Sequence, residues 1–179
     1  MNDQTKKLSF AALFVALTFV GANLKIMGSI AFDSLPAFLG TMLLGPAWGA
    51  AIGAIGHLLT AMTSGFPFGL PAHVIITALM GLTMAVYAWV MNGLQRLGLP
   101  RLVSYLIAGA SAVLINGPLD ILALFPLLGP VMGKEALLGL IPLLSMAAAA
   151  NVIGAVAVYQ LMPKAIRSQG RVYLDEARN

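Results

Sequence analysis

Cysteine is absent from this chain and charge is scarce, at 9% of 179 residues. The first absence excludes a disulfide framework and any thiolate metal site. The second excludes an ordinary water-soluble domain, which carries about 25% charged residues. Several motifs are also missing. The sequence contains no G-x-x-x-x-G-K-[ST] phosphate loop, no H-E-x-x-H and no G-x-S-x-G. It is therefore not expected to hydrolyse nucleotide by that route or to act as a zinc protease or serine hydrolase. We expect no catalytic residue, no cofactor and no metal site, since only two histidines and a few carboxylates could ligate one. The formal net charge is +4, but the basic residues are scattered, so nucleic acid is not an expected partner. No duplicated half is visible of the kind that lets secondary transporters alternate access.

What is present is hydrophobic sequence, at 60% of all residues. Runs of roughly 17–25 apolar residues suit a bilayer crossing. Six spans are predicted, at about 8–24, 35–44, 47–62, 71–91, 102–125 and 135–162, in a single integral membrane domain of all-α class. The second is too short to cross upright as a regular helix. The first is too long for a cleavable signal peptide. Residues 166–179 read as a short basic tail.

Charge gives the orientation. With six spans, one side holds both termini with Lys6, Lys7, Arg96, Arg101, Lys164, Arg167, Arg171 and Arg178, and the other keeps Lys25 and Lys134. Basic loops stay cytoplasmic, so both termini are expected inside the cell. Glycines at 45, 49 and 53 lie along one helical face and predict a packing seam.

The remaining polar and aromatic residues collect toward the opposite face, like a cup open to the outside. Lys25, Phe32, Asp33, Phe66, Phe68 and His73 fall in or beside external loops, and His57 lies about one turn from the outer end of span three. Asn116 and Asp120 are four residues apart on one face of span five, and Asn151 is near the middle of span six. A carboxylate within a span is costly unless paired or wet. Asp120 is thus either an ion-pair partner of Lys134 or Lys25, or a ligand-binding group. Asp33 precedes a span, where capping is the ordinary use of aspartate. Each histidine is a hydrogen-bonded packing residue or a ligand contact. The phenylalanines of "TSGFPFGLPAH" suit interfacial anchoring or stacking on a flat ligand. Ala12 and Ala16, four apart on span one, suit either internal packing or docking of another membrane protein.

The six spans, the Ala12/Ala16 pair and "LGPAWGAAIGAIGHLL" together resemble the S components of energy-coupling factor (ECF) transporters, from about Leu8 to Ile166. The resemblance implies a substrate-capture subunit of an ATP-driven vitamin importer in a prokaryotic cell membrane. Its partners would be the membrane coupling subunit EcfT and two cytoplasmic ATPases. Ala12 and Ala16 would be the docking face, and the loops Lys25 to Asp33 and Thr63 to Leu70 would be gates. The S component would topple in the bilayer to deliver its ligand. Many relatives carry an acidic residue near the end of the glycine-rich helix, where this chain has His57. "AFDSLPAFLG" with "GHLLTAMTSGFPFGLPAH" is most similar to the branch associated with alpha-ribazole, the nucleoside precursor of cobalamin's lower ligand. Pantothenate, riboflavin or cobalamin are the other ligands considered, and an autonomous small secondary transporter or channel is the other kind of function.

Overall fold

The computed structural model describes residues 2–23, 25–26 and 30–168, without the side chains of 25, 26, 30 and 31. Helix α1 is Asp3–Asn23, α2 Leu35–Leu44, α3 Pro46–Thr63, α4 Gly69–Arg96, α5 Arg101–Leu114, α6 Asp120–Met132 and α7 Lys134–Leu161. A π-helical turn, Ile115–Leu119, joins α5 to α6 as one continuous rod. The all-α expectation is amended by one small ladder between α1 and α2, β1 (Lys25–Ile26) antiparallel to β2 (Ile30–Ala31).

Among the described residues, four helical rods are long and apolar enough to cross a membrane: α1, α4, Arg101–Met132 and α7. Helix α2 has the length that the sequence implied. Ten residues rise only about 15 Å, half the hydrocarbon thickness. All its residues from Pro36 to Leu44 are buried, so other helices, not lipid, surround it.

The rod at the fifth expected span, Arg101–Met132, departs from expectation. It was expected to end near Phe125, yet it continues to Met132 through Pro126 and Pro130. Proline is tolerated at membrane depth because neighbouring helices can satisfy the freed backbone groups. Helix α4 also starts before the expected Pro71, at Gly69, whose φ of 78° makes the turn. Pro71 falls in the first helical turn, where its missing N–H is harmless. His73 sits in the second turn of the helix, beside that loop.

The glycine seam is real but divided among neighbours. A Cβ on Gly49 would strike Thr41 of α2, one on Gly53 would meet Met84 of α4, and one on Gly56 would strike Thr18 of α1. Thr18 and Thr41 donate their hydroxyls to carbonyls within their own helices, at 2.6 and 2.7 Å, so these contacts leave no polar group unpaired. Lipid tails are as apolar as leucine, so close approach of this kind supplies the packing attraction. Gly45 does not belong to the seam; it turns α2 into α3 with φ 91°. Phe38, Met42, Ile52, Met84 and Tyr87 fill the space between these helices, with the Phe38 and Tyr87 rings edge to face at 5.1 Å. Ala12 and Ala16 lie on the other side of α1, exposed, opposite buried Ala11, Phe14 and Thr18.

Candidate substrate-binding site

A cavity of about 320 Å³ opens between α3, α4, α6 and α7. Its wall brings together residues from six places in the chain: Asp33 and Ser34 before α2, His57 on α3, Phe68 before α4, His73 on α4, Asn116 in the π turn with Asp120 at the start of α6, and Asn151 on α7. Such a volume lies at the small end of ordinary ligand pockets.

The π turn sets Asn116 and Asp120. Pro118 has no N–H to give, and the local widening turns both side chains onto the cavity. Gly117 lets this turn lie against Ser145 of α7, where a Cβ would collide with the hydroxyl. Asp120 is 4% exposed, and its Oδ1 accepts no hydrogen bond. The ion pair expected as one alternative is not formed with Lys134, which is exposed and lies off the cavity wall. The side chain of Lys25 lies outside the described residues.

His57 and His73 meet across α3 and α4. Nε2 of the former is 3.3 Å from Nδ1 of the latter, so one ring donates and the other accepts. The rings are roughly parallel, 28° apart, and Phe68 stacks on the far ring at 6.2 Å. His73 is 6% exposed and its Nε2 has no partner.

Asp33 does not cap α2. Its Oδ1 accepts the Ser34 amide at 2.8 Å, while the Leu35 amide donates to Oδ1 of Asn151, also at 2.8 Å. Asn151 in turn donates to the Ala147 carbonyl at 2.9 Å. A side chain 116 residues away thus caps the short helix, and Asn151 is a structural tie as well as a wall residue. Burial pushes the Asp33 carboxyl above its ordinary range, and the hydrogen bond from Ser34 opposes that rise.

Two candidates are not brought onto the wall. Phe32 is anchored by its backbone, its amide donating to Gly21 at 3.2 Å. Phe66 occupies a left-handed position, φ 50°, and lays its ring against His73 at 5.6 Å rather than on the cavity. Sequence reasoning missed the apolar lining altogether: Ile76, Met80, Ile121, Leu124, Leu140 and Leu144 are representative of it. In a chain this hydrophobic, a leucine facing a ligand carries no signal that separates it from one facing lipid. The order along α6 and α7 also differs from a cup with polar groups above apolar helices. Leu128 and Leu137 lie nearest the α6–α7 turn, and Asp120, Asn116 and Asn151 lie farther from it.

A pocket set among helices long and apolar enough to cross a membrane accords with what a family comparison finds. The description "ECF transporter, substrate-specific component" matches residues 6–167. The chain belongs to that family. An ECF substrate-specific component is a substrate-binding membrane subunit and not an enzyme; ATP hydrolysis belongs to its partner subunits. It works with the ECF module on a small-molecule substrate. Comparison with curated proteins and with solved structures gives no match.

Proposed function

We propose that this ECF substrate-specific component captures alpha-ribazole, the nucleoside precursor of cobalamin's lower ligand, in the cavity just described. The observation that carries the reading is the convergence of Asp33, His57, Phe68, His73, Asn116 and Asp120 on one cavity of nucleoside size. Phe68 stacks on the benzimidazole, His73 meets the ring nitrogen, and Asp120 with Asn116 and Asp33 takes the ribose hydroxyls. The volume favours this ligand over intact cobalamin, which is several times larger.

In the same proposal α2 and α3 complete six spans, both termini are cytoplasmic, and the loops before α2 and α4 gate the pocket from outside the cell. The exposed Ala12/Ala16 face of α1 docks on the coupling subunit, on which the component topples to release its ligand inward. Calorimetric titration of the purified protein with alpha-ribazole, riboflavin, pantothenate and cobalamin tests the assignment. Tight binding of alpha-ribazole alone is expected, without any partner protein. Preference for another compound would replace it.

A further inference from the structure

The cavity wall is one-sided in charge. Asp33 and Asp120 are on it, and among the described residues that line it there is no lysine or arginine. Lys134 stands exposed one turn before Leu137 and takes no part in the lining. The two histidines each use one ring nitrogen on the other. Two buried groups remain unfinished: Oδ1 of Asp120, in a residue 4% exposed, and Nε2 of His73, in one 6% exposed. A buried polar atom without a partner is rare enough to need a cause, and both atoms belong to residues on the same wall. A ligand that brings hydrogen-bonding groups to them completes the network.

The rest of the wall limits what else that ligand carries. Ile121, Leu124, Leu140 and Leu144 give it an apolar surface and no donors. A carboxylate or phosphate entering here would lose its water, meet no lysine or arginine among the described lining residues and lie in a cavity with two carboxyl groups. Desolvation of an unpaired charge is strongly unfavourable, and like charge adds to it. A neutral or cationic molecule meets neither penalty.

From these observations we infer that the pocket selects by charge. It takes an uncharged or cationic molecule whose N–H or O–H meets Asp120 and whose apolar body lies against the leucines of α6 and α7. It rejects carboxylates and phosphates. This rests on the substrate-binding reading above, but not on alpha-ribazole in particular.

Matched pairs that differ in charge separate the two. Alpha-ribazole and its 5′-phosphate, pantothenol and pantothenate, nicotinamide and nicotinate, and pyridoxal and its phosphate are titrated onto the purified full-length protein. In every pair that binds, the neutral member is expected to bind at least about tenfold tighter, a difference of about 1.4 kcal/mol. Asp120→Asn, which keeps the shape, narrows that gap several-fold. The pairs on the unaltered chain carry the test by themselves if the variant does not fold. An anion that binds as well as its neutral partner overturns charge selection and leaves the substrate-binding role standing. A neutral compound other than alpha-ribazole binding best supports charge selection and removes only the alpha-ribazole assignment. Failure of every compound to bind overturns both.

Discussion

Phe38 and Leu140 are both apolar side chains in an apolar protein, but they inhabit different surroundings. Phe38 is fully buried on α2, its ring against Tyr87, in a region where Gly49, Gly53 and Gly56 bring four helices into close contact. Leu140 sits on α7 and borders a cavity of about 320 Å³. The sequence marks the two regions with different backbone-modifying residues. Glycine fills the first; prolines at 118, 126, 130 and 142, with the π turn, occur within the helices of the second. Glycine removes side chain and closes a gap, whereas proline removes a hydrogen bond and bends the rod that would otherwise close it. A membrane protein cannot use the hydrophobic effect to decide which helices touch. Here backbone chemistry decides it, and one half packs while the other stays hollow.

If that division is also one of labour, each half can be damaged without the other. The largest effect is expected from Ala12→Trp on the exposed face of α1, which belongs to the packed half. Uptake of labelled ligand by cells carrying the whole transporter should vanish, and binding to the purified protein should not change. Normal uptake would remove the docking role from this face.

The next effect lies in the hollow half. Asp120→Ala should weaken ligand binding about 10- to 100-fold, the range for losing hydrogen bonds to a charged group. Thermal stability of the unliganded protein should hold or rise, because the substitution removes a buried oxygen that has no partner. A structural ion pair would behave in the opposite way and lose stability on truncation. Loss of both stability and binding would return Asp120 to a structural role.

Much of this was readable from the residues. The short second helix was expected at 35–44 and is found at Leu35–Leu44, since its apolar run is bounded by Ser34 and Gly45. The polar candidates stood out because a carboxylate or histidine in a span is conspicuous. Asp33, His57, Phe68, His73, Asn116, Asp120 and Asn151 are found on a common wall. The leucines completing that wall were invisible, having no contrast with lipid-facing ones. The cap supplied by Asn151 to Leu35 was equally hidden, because it depends on contact between distant segments and not on local pattern. The end of the rod at the fifth expected span was misplaced for a related reason: Pro126 and Pro130 signal a break in water, and a bilayer relaxes that signal.

Within the packed half, Gly53→Val should cost about 1–3 kcal/mol of unfolding free energy, the usual penalty of overpacking. The added side chain would meet Met84 and the Met80 carbonyl, and the backbone atom cannot swing away. Ligand affinity should be nearly unchanged. A large loss of affinity with stability intact would mean that a change at Gly53 is passed along α3 to His57 on the cavity wall, and the two halves would not be separable.

The smallest effect, expected at Leu140, is the most telling for the comparison when set beside Phe38. Phe38→Ala should cost about 3–5 kcal/mol, because it opens a void where every neighbour was in contact. Leu140→Ala should cost only about 1 kcal/mol, since one side of that leucine already faces empty volume and fewer contacts disappear. Denaturation of the two variants in the same detergent measures the contrast directly. Equal losses would mean that α6 and α7 close against one another in solution and that no standing hollow exists there. A small loss at Leu140 that becomes a large one when saturating ligand is present would show the leucine packing against the ligand, since only bound ligand supplies the contacts the cavity lacks.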